Sequence, residues 1–368
     1  MKITDIKMHV FNKKIPVCVT STRGYFRDSG PAGKIEFSLV RILTDEGIEG
    51  DFIAWSEIPA ASSLALAQVL RAWKPHILNK NPLDREQIWQ ELGDFWYRQR
   101  GPALAAIDIA LWDIAGKAAN LPVYKLLGAY RERVLAYASG GAKDTPQANA
   151  EFAVELKERG YKAMKIHPVD IKACRAIRKA VGESIILMHD PIFSYSRQQA
   201  LSVGKELEKL NFYWFEAPLP LDDINGYVKL TQQLEIPVTV EIFNNYLEYI
   251  QKGAVDIFRS MCGFTGGITE LRKVATLCEY FGMQLEPHSF GGIFYQMAHL
   301  HVILSIKNCN FFELPISQED GEEGYFDVGI QGNGIRIDKE GYVHAPQGPG
   351  LGLTIDWDQV KQGEEVDI

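Results

Sequence analysis

Residues 185–241 contain three short β-rich runs that each end in an acid: IILMHD at 185–190, YWFE at 213–216 and VTVE at 238–241. The acids Asp190, Glu216 and Glu241 are separated by 26 residues (216 − 190) and 25 residues (241 − 216), and a helical pattern occupies each interval. Each interval is close to the length of one strand–helix unit. The stretch therefore predicts neighbouring parallel strands with the three acids at one end of the sheet.

The same alternation of strands and helices continues on both sides of this stretch. The strand candidates are 134–138, 163–167, 185–190, 213–216, 238–241, 256–260, 284–288 and 310–313. Eight such units predict an α/β protein with a parallel barrel, and a doubly wound open sheet is the alternative. Neither a GxGxxG nor a GxxxxGK[ST] loop follows any of these strands, which counts against the nucleotide-binding form of the open sheet.

The first third of the chain has a different, α+β pattern. Strands are predicted at 3–11, 36–43 and 48–55, and helices at 61–78, 82–97 and 103–119. The Gly-rich loop at 20–33 carries Arg23, Tyr25 and Arg27, which we expect to bind a distal carboxylate or hydroxyls of a substrate, although exposed loop arginines are often merely solvated. Trp55, near a second loop, is expected to close the pocket from above.

We predict three segments: a capping domain at 1–125, a barrel at 126–323, and a Gly/Pro-rich C-terminal segment at 324–368 that packs back on another part of the molecule. The 368 residues carry a net charge of −8, which argues against nucleic acid as a partner. The five cysteines are scattered and form no CxxC, so we expect a cytoplasmic protein with reduced thiols. No apolar run reaches 18 residues, so no membrane partner is expected.

Three carboxylates at one sheet edge would repel one another without a cation between them. Mg²⁺ is the natural ion, because it accepts a few carboxylates and leaves positions open for substrate oxygens. A structural role as loop caps is the alternative. Lys165 and His167, two residues apart on a strand, share a face and would point into the same mouth, as would His288 from the seventh strand. Basic groups in this position are suited to remove a proton from a carbon atom of the substrate. The alternative is that they are polar residues of the barrel rim with no catalytic role.

The order Lys165-x-His167, Asp190, Glu216, Glu241 and His288 resembles the enolase superfamily, specifically its mandelate racemase branch. The stretches AAIDIALWDIAGKAANLPVYKLLG (105–128) and DIFRSMCGFTGGITE (256–270) are similar to its last capping helix and its sixth strand. The resemblance implies a modified (β/α)7β barrel and an N-terminal α+β capping domain completed by the C-terminal tail. It also implies one Mg²⁺ per subunit held by the three acids, abstraction of the proton α to a carboxylate by a Lys or His base, and a homo-oligomer.

Two positions depart from the family pattern. His167 replaces the second lysine of Lys-x-Lys, and Met261 falls where the family has the Asp that orients the strand-seven histidine. Glu286, two residues before His288, is a weak substitute. His288 should then be a poorer base but could act as an acid towards a leaving hydroxyl. Glu313 resembles the family acid that binds the substrate carboxylate side, where partial protonation would help; a structural acid is the alternative.

Four functions follow from these residues. Dehydration of an acid sugar, an aldonate or aldarate, to a 2-keto-3-deoxy acid is favoured, because the basic groups on the two faces are unequal. Racemisation or epimerisation needs balanced bases, such as His167 and His288. Cycloisomerisation is ranked lower, since Met261, Cys262 and Gly263 provide no lysine at the end of strand six. A non-catalytic metal-binding protein would explain the departures but not the presence of all three acids.

Overall fold

The N-terminal part of the protein is an antiparallel sheet covered by helices. The computed structural model describes residues 1–14, 34–55, 62–94, 101–140, 143–289, 291–316, 323–324 and 327–368. The sheet contains β1 (Ile3–Lys14), β2 (Lys34–Thr44) and β3 (Gly50–Trp55), paired in that order. The helices are α1 (Ser63–Ile77), α2 (Arg85–Asp94), α3 (Pro102–Ala119) and α4 (Val123–Leu126).

Helix α3 connects this sheet to the rest of the molecule. It begins at Pro102, a residue tolerated in the first turn of a helix, and ends before Asn120 in the left-handed conformation. Asp108 is buried on this helix and accepts hydrogen bonds from the amide and hydroxyl of Thr269, to which Trp112 also donates. These contacts hold the helix, which was predicted at 103–119, against the barrel.

Within the described residues, eight parallel strands form a curled sheet. They are β4 (Arg133–Ser139), β5 (Ala163–Ile166), β6 (Ile186–His189), β7 (Trp214–Glu216), β8 (Val238–Glu241), β9 (Ile257–Arg259), β10 (Gln284–Leu285) and β11 (Phe311–Pro315). The order is β10-β9-β8-β7-β6-β5-β4-β11, so the last strand pairs with the first. Between β10 and β11 the Leu285 amide donates to the Asn308 carbonyl. The fold prediction of a (β/α)7β barrel is confirmed.

Helices connect each barrel strand to the next. They are α5 (Pro146–Glu158), α6 (Ile171–Val181), α7 (Arg197–Lys209), α8 (Ile224–Gln233), α9 (Tyr246–Gln251), α10 (Cys262–Thr265), α11 (Ile268–Tyr280) and α12 (Ile293–Ser305). Inside the sheet, a separate apolar cluster is formed by Tyr137, Ala163, Met188, Trp214, Ile257 and Phe311. This layer fills the barrel beneath the carboxyl ends of the strands, which leaves those ends as the place for polar chemistry.

The C-terminal segment returns to both sheets. Strand β12 (Tyr342–His344) pairs antiparallel with β4 of the barrel, and after α13 (Trp357–Val360) strand β13 (Glu364–Val366) pairs with β1. The last strand thus completes the N-terminal sheet, while β12 belongs to the barrel sheet. The three segment boundaries stay a prediction. None of the described helices is long and apolar enough to cross a membrane.

Candidate active site

The three strand-end acids lie together. Asp190 follows β6, Glu216 ends β7 and Glu241 ends β8, and all three side chains are buried. One oxygen atom from each lies within 4.8 Å of one from each of the others. The equal intervals in the sequence place them side by side because each strand-helix unit returns the chain to the same end of the sheet.

Mutual repulsion shows in the pKa values of these carboxyls. Burial acts to raise the pKa of Glu216, but the positive charges of Arg259 and Lys165 together have the larger effect and bring it down to about 2. Burial and the charge of Glu216 raise the pKa of Asp190 to about 7 and that of Glu241 well above its usual range. Without an added cation only part of the triad is ionised near pH 7. A buried, oxygen-only donor set of this kind fits a hard divalent ion, so the acid triad can hold a metal.

Lys165 is a fixed cation in this site. Its Nζ atom lies 2.8 Å from Glu216 Oε1, 2.8 Å from Glu313 Oε1 and 3.5 Å from an oxygen of Asp190. Burial lowers its pKa, but Glu216 and Glu313 together raise it well above the ordinary lysine value. Lys165 therefore keeps its proton near neutral pH in the ion-free protein.

The two histidines of the site are both neutral near pH 7. Burial and the charge of Lys165 lower the pKa of His167 to about 3. Burial lowers that of His288 to about 4, although Glu313 acts in the opposite direction. His167 is half-buried, and its Nδ1 atom has no hydrogen-bond partner among the described residues. Both imidazoles can therefore accept a proton.

Arg259 is a member of the site that our reading of the sequence did not single out. It lies on β9, fully buried, with Nε 3.2 Å from Glu216 Oε1 and 3.8 Å from Glu241 Oε1. Its Nη1 donates to the Tyr137 hydroxyl (3.1 Å). One signal was available in the sequence: Arg259 falls within the strand predicted at 256–260, two residues after Ile257, so the two side chains share a face. In the structure Ile257 belongs to the apolar cluster inside the barrel.

Glu313, at β11, corrects one expectation. Its Oε2 accepts hydrogen bonds from Arg259 Nη2 (2.9 Å) and from the Ser289 amide (3.0 Å). Burial raises the Glu313 pKa, but Lys165, His288 and Arg259 bring it well below the usual range. The prediction of a partly protonated acid was wrong, because two buried cations contact this carboxylate and keep it ionised.

Glu286 does not act as the substitute partner of His288. Its carboxylate faces the last strand, where it accepts hydrogen bonds from the amides of Asn310 (2.8 Å) and Phe311 (3.1 Å) and from the Cys309 thiol. Burial raises its pKa to about 7. Glu286 therefore connects the two ends of the curled sheet. His189 is buried against Phe215, and its Nε2 lies 2.8 Å from the Pro168 carbonyl.

Trp55 brings the N-terminal sheet to the mouth of the barrel. A Cβ atom added to Gly291, just beyond β10, would lie 3.4 Å from Trp55 Cε3 and 3.5 Å from Met261 Cε. The buried indole and the Met261 thioether thus pack near the same backbone. A substrate contact of Trp55 stays a prediction, and Arg23, Tyr25 and Arg27 lie outside the described residues.

Comparison with known proteins agrees with this arrangement. Residues 28–128 match the profile of the mandelate racemase/muconate lactonizing enzyme N-terminal domain, and residues 148–359 match that of the enolase C-terminal domain-like family. The chain is 31% identical to arabinonate dehydratase of Saccharolobus solfataricus over 344 residues, covering 88% of this chain and 90% of the relative. It is 30% identical to D-galactarolactone cycloisomerase of Agrobacterium fabrum, covering 98% of each.

A solved structure shows the same likeness in three dimensions. The crystal structure of D-glucarate dehydratase from Agrobacterium tumefaciens, complexed with magnesium, superposes with a TM-score of 0.86 at 32% identity and covers 99% of both chains. The profiles span both parts of the chain, and the relatives align along nearly its whole length. The protein therefore belongs to the mandelate racemase/muconate lactonizing enzyme family of the enolase superfamily.

Proposed function

We propose that this protein binds one Mg²⁺ ion per subunit through Asp190, Glu216 and Glu241 and dehydrates an acid sugar, an aldonate or aldarate, to a 2-keto-3-deoxy acid. The observation that carries the proposal is the combination of a buried oxygen-only triad, a protonated Lys165 and two neutral imidazoles at one end of the barrel. When bound, the ion would supply positive charge to the substrate carboxylate and so make its α-proton more acidic.

His167 is the base in this proposal. Its neutral imidazole is available to take the α-proton as the C–H bond breaks, since its pKa lies near 3. Lys165 cannot take that proton, because it already holds one between Glu216 and Glu313. Its ammonium group instead stabilises the negative charge that develops on the substrate.

His288 is the acid. The charge of the ionised Glu313 acts on His288 and partly offsets the lowering of its pKa by burial. A bound substrate carboxylate adds negative charge in the same mouth and favours the imidazolium further. The imidazolium then donates its proton to the β-hydroxyl, which leaves as water. The enol product takes up a proton at C3 and becomes the 2-keto-3-deoxy acid.

The names of the relatives support an acid-sugar substrate. Arabinonate, D-gluconate and D-xylonate dehydratases are between 26% and 31% identical to this chain, which supports a lyase acting on a small carboxylate. The D-galactarolactone cycloisomerase relative, at 30% identity, favours cycloisomerisation as a second candidate. Against it stands the buried stretch that follows strand six, where Met261, Cys262 and Gly263 provide no lysine.

The test is an incubation with Mg²⁺ and a panel of acid sugars and their lactones in D₂O, followed by proton NMR. Loss of the α-proton with appearance of a 2-keto-3-deoxy product supports the dehydratase and identifies its substrate. Ring opening of a lactone or anhydro sugar without water loss would establish the cycloisomerase instead. Deuterium at the α-carbon with inverted configuration and no elimination would indicate a racemase. Mg²⁺ binding without any of these reactions would favour the non-catalytic protein.

Glu216→Gln tests the proposed metal ligands directly. The amide keeps the shape of the side chain but removes one of the three negative charges, so isothermal titration should show that Mg²⁺ binding is lost or weakened by about 100-fold or more. Unchanged Mg²⁺ affinity in this variant would contradict the proposed ligand set. The same preparation should retain its thermal unfolding transition, which distinguishes metal loss from misfolding.

A further inference from the structure

Arg259 connects three separate strands across the interior of the barrel. From β9 its guanidinium contacts Tyr137 on β4, Glu216 on β7 and Glu313 on β11, and its carbon atom lies 5.5 Å from the centre of the Trp214 ring. The side chain is fully buried. A planar cation held on several sides is well suited to fix the direction of a carboxylate.

Glu313 connects Arg259 to the segment that contains His288. The same oxygen, Oε2, accepts from Arg259 Nη2 at 2.9 Å and from the Ser289 amide at 3.0 Å. Ser289 follows His288 directly. On the other side of the segment the His288 amide donates to the Ser260 carbonyl at 2.9 Å. The backbone around His288 is therefore held from β9 on one side and by the Glu313 carboxylate on the other.

The tenth strand is short, so the segment that carries His288 lies beyond its end. Strand β10 has two residues and ends at Leu285, so the backbone of residues 286–289 extends beyond the regular strand. Met261 has no carboxylate to offer from the end of β9, and the Glu286 carboxylate is bound to the amides of Asn310 and Phe311. Glu313 Oε2 is thus a side-chain acceptor that holds this segment from the β11 side.

Glu313 depends on Arg259 for its direction. Its other oxygen faces Lys165, whose ammonium is shared with Glu216 and Asp190. An ammonium is a point charge that imposes little direction, whereas the guanidinium fork does. We propose that Arg259 is a positioning residue: it holds the Glu313 carboxylate on the Ser289 amide and so places His288 for proton delivery to the leaving hydroxyl. This inference rests on the proposed dehydration.

Arg259→Gln separates this role from the other steps. Dehydration should fall by about 100-fold, the loss typical of a displaced proton donor, because His288 loses its place. Exchange of the substrate α-proton with D₂O, which requires His167, should stay within about threefold of wild type. Mg²⁺ affinity by isothermal titration should be unchanged or higher, since a positive charge near Glu216 and Glu241 is removed. Arg259→Lys should restore only part of the dehydration rate.

Two further variants guard against a general loss of structure. Tyr137→Phe removes only the hydroxyl that accepts from Arg259, and we expect a fall in dehydration of about threefold to tenfold with exchange unaffected. Arg178→Gln is the matched control: this buried arginine donates to the carbonyls of Leu210, Gly182, Ile185 and Asn211 at the opposite end of the barrel. It should reduce stability without changing the ratio of exchange to dehydration. If Arg259→Gln does not fold, Arg259→Lys and Tyr137→Phe decide.

A measurement without turnover completes the test. In ¹⁵N-histidine-labelled, Mg²⁺-loaded protein, Arg259→Gln should shift or broaden the His288 ring signals and leave those of His189 in place. Equal losses of exchange and dehydration, a rate loss that follows lost Mg²⁺ binding, or unchanged His288 signals would each overturn the inference. Absence of dehydration in the wild-type enzyme would refute the proposed function, whereas the His288 signals would still test the placement.

Discussion

Replacing Lys165 by methionine removes a positive charge that three buried carboxylates share. At the observed 2.8 Å the attraction to Glu216 alone corresponds to about 6 kcal/mol at an effective dielectric constant of about 20. Most of this attraction only offsets the cost of taking the charges out of water. Breaking a buried pair on one side costs about 3–5 kcal/mol, and we expect Lys165→Met to lose stability of this size in metal-free protein.

The response to Mg²⁺ makes the prediction specific. A divalent ion supplies charge that the variant lacks, so Mg²⁺ should raise the unfolding temperature of Lys165→Met more than that of wild type. Scanning calorimetry with and without Mg²⁺ measures both effects. Lys117→Met is the matched control, because Lys117 pairs with Asp113 (2.7 Å) and Asp51 (3.2 Å) in the N-terminal part. It should destabilise the protein without a larger gain from Mg²⁺.

Turnover provides the second measurement on the same variant. Loss of a fixed cation beside developing negative charge should lower kcat by about 100-fold to 1,000-fold in Mg²⁺-saturated enzyme. The reasoning is refuted if metal-free Lys165→Met is as stable as wild type, or if its gain from Mg²⁺ equals that of Lys117→Met. Full turnover would remove Lys165 from the mechanism altogether.

Three other results are expected. His167→Gln should abolish exchange of the α-proton with D₂O while Mg²⁺ affinity stays near wild type, because the base is lost and the acid triad is kept; NMR and titration measure the two. In Mg²⁺-saturated enzyme, the acid limb of kcat/KM should lie well below the ordinary histidine pKa of about 6.5, because burial and Lys165 lower the pKa of His167 to about 3 and the base stays neutral down to that range. An acid limb near pH 6.5 would contradict this. Arg178→Gln should cost about 2–4 kcal/mol in calorimetry, because four carbonyls at the amino ends of the strands lose their donors, with kcat of the folded enzyme preserved.

The positions of the acids were predictable from the sequence because barrel periodicity determines them. Once Asp190, Glu216 and Glu241 are each assigned to a strand end, parallel pairing leaves little choice about where they meet. The same reasoning placed Lys165 beside them, since its strand is next in order. Strand ends were less predictable: β10 covers Gln284 and Leu285, whereas the pattern predicted a strand to residue 288.

Protonation states were not predictable from the sequence, because they depend on contacts between strands that are far apart along the chain. Glu313 was expected to hold a proton part of the time, and it is ionised because Lys165 and Arg259 both contact it. Arg259 lies 54 residues before Glu313. Nothing in the local sequence says that a charged residue on the sixth strand will pair with an acid on the eighth.

These contacts make it possible to balance the charges of the site. Four buried carboxylates face two fixed cations, which leaves a deficit of two positive charges. The carboxylates are those of Asp190, Glu216, Glu241 and Glu313, and the cations are Lys165 and Arg259. In the ion-free protein this deficit is met by protons, as the raised pKa values of Asp190 and Glu241 show. A divalent cation has the charge needed to replace those protons. Mg²⁺ binding should therefore release protons, and its affinity should rise as the pH passes through the Asp190 pKa of about 7, levelling off only where both Asp190 and Glu241 have lost their protons.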